Sequence, residues 1–303
     1  MLMHPKLALC ANRDIQPKIN TIIGEPLEWL SYNVLNSFGY SQLSFDFFID
    51  WKTWTCQDSI WIKRILSEDI TINQLADRGN NFLTQQAINI GDNLNLIHLF
   101  SKKYGFNPSY LVFRNVNWST ESEPILRGAI KDNGIEDIKL YSLDQVMVAI
   151  RHKSGGAVSI GSKGLIYGTS SLECYLSTTD ALWPGDVDMI LWDNTLNQAA
   201  AIIELKKHTL DTSISNQQLS NYYPKPDGRK YDRLALLRNR LGDNIPIIII
   251  YYPTKNIHNL IKLELISGNP KDLSANSTKL INFSGLTQQK IGLEIMTKII
   301  EML

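Results

Sequence analysis

GDVDMILWDNTLNQAAAIIELKK, residues 185–207, reads as two apolar strands joined by a short polar turn at Asp193-Asn194. Successive side chains in a strand point to opposite faces. Asp186 and Asp188 therefore share a face of the first strand, and Glu204 and Lys206 share a face of the second. Between these charges and the turn the sequence is apolar. The charges thus sit at the ends of otherwise buried strands, where they are costly unless paired or bound to a metal.

Around this hairpin the chain alternates between strand and helix patterns. IPIIIIYYP (245–253) is a continuous apolar run of the kind buried on both faces of a sheet. Helices are expected around 214–222 and across 230–241, and LTQQKIGLEIMTKIIEML closes the chain with apolar residues at three- and four-residue steps. AVSI and GLIYG read as short strands. Upstream, YLVFR (110–114) and IKLYS (138–142) read as strands, EPILRGAIKDNG (123–134) as a helix ending at Gly134, and LDQVMVAIRHK (143–153) as a helix capped by Ser142. The part before about residue 105 reads as mainly helical: Pro26 opens one helix, and Asp92 caps another that ends at Gly105. Ser154-Gly155-Gly156 is the best boundary signal. It divides an N-terminal region, 1–153, from a C-terminal domain, 157–303.

Two carboxylates and a lysine at one sheet end suit metal-assisted phosphodiester hydrolysis. Mg²⁺ prefers oxygen ligands and takes one or two carboxylates, completing its shell with water and phosphate. It activates water and offsets phosphate charge, and a neighbouring lysine can orient the water or stabilise developing negative charge. Alone, Glu-x-Lys is common, and a surface hairpin with a Glu–Lys ion pair explains it. Its setting adds weight here: GDxD on one strand, ELK ending the next, and an apolar run before each charged end.

These residues resemble the PD-(D/E)xK nuclease superfamily, on Pro184-Gly185-Asp186-Val187-Asp188 and Glu204-Leu205-Lys206. The resemblance covers roughly 157–303. It implies a restriction-endonuclease-like mixed sheet flanked by helices, with Asp188 and Glu204 as ligands of Mg²⁺ (or Mn²⁺), Asp186 as the second choice of aspartate, and Lys206 as the catalytic lysine. RecB-like members carry QxxxY on the helix after that lysine. Gln218-Leu219-Ser220-Asn221-Tyr222 fits, so Gln218 and Tyr222 become candidates. The family often places an acid on a helix before the core strands. Glu173, in SSLECYL, is the nearest, although that stretch reads equally as a strand.

From Glu204 to Leu241 stand Lys206, Lys207, Lys225, Arg229, Lys230, Arg233, Arg238 and Arg240, against Glu204, Asp211, Asp227 and Asp232. This local excess occurs in a chain of zero net charge. Lys207, Lys225, Arg229, Lys230 and Arg233 are candidate phosphate contacts, and Tyr222-Tyr223 could stack on bases; a solvated face with core tyrosines is the alternative. His208 is close enough in sequence to approach the site, with a structural role as the alternative. Trp183 is expected to pack under the hairpin.

Hydrophobic content of 44% and charged content of 20% provide for a real core. Cys10, Cys56 and Cys174 are spaced too widely for a metal clamp and read as free thiols in a reducing compartment. No apolar run approaches a membrane span, and the expectation is a cytoplasmic protein. The whole reads as an α/β nuclease acting on DNA, with RNA open, in restriction, phage defence or repair. The alternative is a nucleic-acid-binding protein that keeps the fold without cleaving. For 1–153, target selection, assembly into a homo-oligomer and ligand sensing all remain open.

Overall fold

The computed structural model describes residues 1–6, 8–10, 24–67, 69–119, 123–132, 134–160, 164–242 and 245–303. The chain opens with β1 (Leu2–Met3), β2 (Ala8–Leu9), α1 (Pro26–Trp29), α2 (Tyr32–Ser37), β3 (Tyr40–Asp50) and β4 (Thr55–Leu66). It continues with α3 (Ile72–Asp77), α4 (Gly79–Asn89), α5 (Leu94–Tyr104), β5 (Asn107–Phe113), β6 (Ile125–Lys131), β7 (Gly134–Tyr141), α6 (Leu143–Lys153), β8 (Tyr167–Gly168) and α7 (Ser171–Leu176). It closes with β9 (Gly185–Asp193), β10 (Gln198–His208), α8 (Gly228–Leu241), β11 (Ile247–Pro253), β12 (Leu260–Asn269), β13 (Asp272–Asn282) and α9 (Gln288–Ile300). Two compact units form from discontinuous stretches: a first of residues 1–17 and 45–186, and a second of 18–44 and 187–303. The expected boundary at 154–156 therefore falls inside the first unit, although Gly155 and Gly156 do end α6.

In the second unit β9 and β10 are antiparallel, β11 runs parallel to β10, and β12 and β13 add antiparallel neighbours. Every residue of β11 is buried, as an isoleucine run covered on both faces requires. One face of the sheet contributes Met189, Leu191, Ile203, Ile248 and Ile250 to a core with Trp29, Val34, Ile291 and Ile295 from α1, α2 and α9. Helix α8 also packs on β10 and β11. The hairpin and the strand at 247–253 match the sequence reading. Strands β12 and β13 were not anticipated. Residues 214–222 form two short 3-10 turns, Ile214–Asn216 and Leu219–Asn221, rather than an α-helix.

In the first unit β3 and β4 are antiparallel, β5 runs parallel to β4, and β6 and β7 follow antiparallel. The N-terminal region is thus not mainly helical. FDFFID and SIWIKRIL are apolar runs of strand length, and they hide the period-2 pattern because both faces are buried. Residues 123–134 are likewise not a helix. Gly128 lets β6 lie so close to β7 that a Cβ there would meet the Ile135 side chain at 2.3 Å. Pairing on both sides overrides local propensity. Asn93 rather than Asp92 caps α5, accepting the Leu96 N–H at 3.0 Å. Asp92 is buried, paired with Arg64 and hydrogen-bonded by Tyr110 at 2.6 Å. The stretch 157–160 makes only a single bridge, Val158 to Ala181. Trp183 packs in this unit, against Trp61 and Phe113.

Cys10 and Cys174 are joined by a disulfide, with Cα atoms 4.6 Å apart, and the buried Cys56 takes no part in a disulfide. This corrects the expectation of three free thiols: the partners lie 164 residues apart in sequence, beyond any spacing argument. Among the described residues no helix is long and apolar enough to cross a membrane.

Gly292 sets the closest approach of α9 to α1, since a Cβ there would lie 1.9 Å from the Trp29 carbonyl oxygen. Gly292→Ala should therefore destabilise the chain by about 1–3 kcal/mol, the usual cost of overpacking, despite alanine's better helix propensity. Chemical denaturation checks this; an unchanged or raised midpoint would mean that α1 gives way freely.

Candidate functional site

Glu204 lies on β10 just beyond the apolar run, and the Glu204–Lys206 spacing turns both side chains to the face covered by α8. The register Ile203 to Met189, carried on by one pair, sets Asp188 opposite Glu204. Asp188 Oδ2 accepts the Leu205 N–H at 2.7 Å, which fixes its carboxylate at the seam of β9 and β10. Asp188, Glu204 and Lys206 are thus gathered at one end of two adjacent strands.

Glu204 is 1% exposed. Its Oε1 is in an ion pair with Lys230 of α8, and its Oε2 makes no hydrogen bond. Buried carboxylates normally accept several hydrogen bonds, so this one has unused acceptor capacity. Tyr231 lies next along α8, buried, its hydroxyl without a hydrogen-bond partner. Burial, then the Glu204 charge, pushes that hydroxyl's pKa far above the ordinary tyrosine value. Tyr252 is raised likewise, by burial first and then by the charges of Glu25, Asp188 and Glu204. Glu25 precedes α1, and its N–H donates to Glu28 Oε2 at 3.1 Å. It is an acid ahead of the core strands within the second unit, which the sequence reading missed in favour of Glu173.

Lys206 Nζ donates to Asp227 Oδ2 at 2.6 Å and sits 4.0 Å from the centre of the Tyr222 ring. Asp227 belongs to the polar turn before α8, so the helix start and the strand end are tied together at the lysine. Tyr222 therefore is at the site, but the Gln-x-x-x-Tyr helix face is not formed. Gln218 is exposed, and the Tyr222 hydroxyl donates instead to the buried Gln217. Behind them Glu264 Oε2 accepts the Leu219 N–H at 2.7 Å and the Tyr251 hydroxyl at 2.8 Å. Lys262 Nζ donates to the Ser215 and Gln217 carbonyls. These two buried charges on β12 hold the 214–222 segment over the sheet.

Of the basic candidates, Lys225 and Arg229 are exposed, Lys207 and Arg233 are half-buried, and Lys230 is committed to Glu204. His208 is structural: its Nε2 meets the Thr212 carbonyl at 2.6 Å and its ring packs on His258. A cavity of about 580 Å³ lined by Arg238, Pro246 and Ser267 lies at the opposite end of β11 from Tyr251 and is not part of this site.

Glu173 lies in the first unit, on α7, a helix rather than a strand. It forms an ion pair with Lys63 and accepts hydrogen bonds from Thr169 N and Oγ1 at 2.7 and 2.6 Å. Lys63 also donates to Asp46 Oδ1 at 3.0 Å. The Asp186 charge acts on both Lys63 and Asp46. Asp186 thus supports the first unit's cluster, leaving Asp188 as the aspartate at the β9–β10 seam.

The donor chemistry at Asp188 and Glu204 fits a hard divalent cation: carboxylate oxygens, a Glu204 Oε2 that makes no hydrogen bond, and a strand register that faces them together. Among the described residues no three or more His, Cys, Asp or Glu side chains form a ready-made metal cage. An ion held by Asp188 and Glu204 would therefore complete its shell with water or phosphate, as Mg²⁺ usually does.

No protein-family model matches the chain, and no curated protein matches it. Among solved structures, the crystal structure of a sex pheromone staph-cAM373 precursor aligns over 89% of this chain and 99% of its own, at 8% identity and a TM-score of 0.18. A score that low indicates neither a shared fold nor a shared function.

Burial pushes the Asp46 carboxyl up to about 6, with Glu173 and Asp186 adding to the rise and Lys63 opposing it. Its unfolded value is 3.8. The folded state therefore holds the proton more tightly, and the stability this contributes is lost as pH rises from about 4 through 6. Replacing Asp46 with Asn should flatten the stability profile across that window. Melting temperatures of both proteins from pH 4 to 7 decide it; an unchanged slope would show that Asp46 titrates normally.

Proposed function

We propose that the second unit is a metal-dependent nuclease, acting on DNA. The observation that carries this reading is Glu204: a carboxylate buried at the end of an apolar strand, with Oε1 against Lys230 and Oε2 without a hydrogen bond, beside Asp188 and two residues before a lysine. A purely structural glutamate would be expected to have its oxygens satisfied. Asp188 and Glu204 would hold Mg²⁺ or Mn²⁺, which when bound neutralises phosphate charge and makes an attacking water more acidic. Lys206, steadied by Asp227 and by the Tyr222 ring, can donate to a non-bridging phosphate oxygen or orient the water. Lys230 neutralises Glu204 until a divalent ion takes over that charge. Lys225 and Arg229, exposed near the start of α8, are suited to the nucleic-acid backbone. Such a protein would serve restriction, phage defence or repair.

The second reading, nucleic-acid binding without cleavage, is favoured by the engagement of both key charges in ion pairs, Glu204 with Lys230 and Lys206 with Asp227. Incubation of plasmid, single-stranded DNA and RNA with Mg²⁺ or Mn²⁺ separates the two. Lys206→Ala should abolish cleavage while DNA affinity in EDTA stays within about twofold. Retained cleavage would remove Lys206 from the chemistry, and absence of cleavage by the unaltered protein on every substrate would end the nuclease reading.

Lys225→Ala with Arg229→Ala tests the binding surface. Each phosphate contact contributes about one unit to the slope of log affinity against log salt, so the double variant should flatten that slope by up to roughly two. A slope equal to that of the unaltered protein would assign both residues to a solvated surface.

A further inference from the structure

Among the described residues β7 pairs with β6 only, and that pairing brings two cations face to face. The register sets Arg127 of β6 directly opposite Lys139 of β7. Side chains so placed have Cβ atoms about 4.5–5.5 Å apart, and like charges there destabilise the sheet. A lysine on an open edge strand discourages other strands from pairing with it, which accounts for Lys139 taken alone. It does not account for Arg127, which stands half-buried on the strand inside that edge.

The Arg127 guanidinium is held in place rather than neutralised. Its Nε and Nη2 both donate to Ser109 Oγ, at 3.1 and 3.0 Å, and Ser109 is buried. It lies 5.7 Å from the centre of the Tyr141 ring, which alternation puts on the same face of β7 as Lys139. Lys153, half-buried in the last turn of α6, rests 5.9 Å from the centre of the Phe48 ring. Burial lowers its pKa, the Asp58 carboxylate opposes that, and the Arg127 charge adds to the fall. The nearby acids are engaged by other groups. Glu136 and Asp137 pair with Lys131 at 3.1 and 2.8 Å, and Asp58 accepts the Asn107 side-chain amide at 2.6 Å. Among the described residues Arg127, Lys139 and Lys153 form no ion pair, although they are gathered at one end of the β6–β7 face.

Arg127, Gly128, Ala129, Asp137, Lys139 and Tyr141 line a cavity of about 140 Å³. Pockets that enclose whole small-molecule ligands run to roughly 300–1,000 Å³. This one has room for a tetrahedral anion but not for a nucleoside attached to it, so the rest of a ligand has to lie along the surface. We propose that Arg127, Lys139 and Lys153 form a phosphate-contact surface of the first unit, occupied by the sugar–phosphate backbone of a nucleic acid. An anionic oxygen between Arg127 and Lys139 converts their repulsion into two attractions. Ser109 fixes one edge of the guanidinium, so its remaining N–H groups are presented in a set direction, as planar phosphate recognition requires. The two lysines act as point charges. Contacts of this kind position the backbone and read no base. The choice of nucleic acid over another phosphorylated chain rests on the nuclease reading of the second unit; the anion site itself does not.

The experiment measures binding of a short fluorescent single-stranded DNA, and of its duplex, to the full chain in EDTA at several salt concentrations, beside the melting temperature of each variant. Lys139→Glu sets opposite charges across the β6–β7 pair. It should raise the melting temperature by about 1–3 °C and yet flatten the slope of log affinity against log salt by about one unit. Lys153→Met keeps the stem over Phe48 and removes the charge, and it too should flatten the slope by about one unit. Cleavage at saturating DNA should be unchanged in both, since neither residue belongs to the site of Asp188, Glu204 and Lys206. If Lys139→Glu fails to fold, Lys139→Gln carries the slope measurement. Slopes equal to that of the unaltered protein, or no DNA binding by the unaltered protein, would overturn the proposal. Retention on phosphatidylserine vesicles without retention of DNA would overturn it in favour of a membrane surface. A lowered melting temperature in a folded Lys139→Glu would overturn it by showing that the lysine is already stabilised by the protein. Cleavage with unchanged slopes would sink this surface alone; flattened slopes without cleavage by the unaltered protein would sink the nuclease reading and leave the surface standing.

Discussion

Strand β10 has to carry Glu204 and Lys206 at the end of a sheet otherwise built of isoleucine and alanine. Its two neighbours leave no freedom in where those charges go. A slip of one residue against β11 would turn Ile203 toward α8 and drive Glu204 into the face occupied by Ile291 and Ile295. The isoleucine run of β11, buried on both sides, thus fixes the register that aligns the carboxylates. Everything else at the site is an answer to the charges so placed. Lys230 meets Glu204, Asp227 meets Lys206, and the Leu205 backbone N–H meets Asp188.

A second pair of buried charges supports the first. Lys262 and Glu264 stand two apart on β12 and spend their hydrogen bonds on the 214–222 segment and on Tyr251. Without them that segment would have little to hold it, since it contains only two short 3-10 turns. With them, Gln217 and Tyr222 are positioned beside Lys206. A hydrogen-bonded buried charge is expensive to make and more expensive to break. That asymmetry favours using such groups to pin a loop whose own sequence is too polar to bury.

The hairpin at 185–207, the strand at 247–253 and the helix after 287 were legible because each obeys a single period or is a bounded apolar run. Residues 40–66 were not. FDFFID and SIWIKRIL are apolar on both faces, and such short runs are ambiguous between strand and helix. Residues 123–134 misled for the opposite reason: local propensity suits a helix, and only pairing with β5 and β7 makes a strand. At the site, Asp188, Glu204, Lys206 and Tyr222 came from motif and alternation. Lys230, Asp227, Tyr231 and Glu25 could not, because their relation to β10 depends on how α8 and α1 pack. Gln218 failed because QxxxY implies a shared face only on an α-helix, and the segment is not one.

The two units share a strand order but place their buried charges on different faces. Glu204 and Lys206 face α8, the helix between β10 and β11, while Ile203 faces α9. Trp61 shares its face with α6 and α7, and Lys63, two residues on, meets Glu173 of α7. There Lys63 meets Asp46 at 3.0 Å, yet burial still lifts the Asp46 carboxyl to about 6, so that pair does not by itself offset the cost of desolvation. Glu173, brought by α7 and hydrogen-bonded by Thr169, supplies the second anion that holds the ammonium in place. The burial of Lys63 on the strand thus demands a carboxylate from another element.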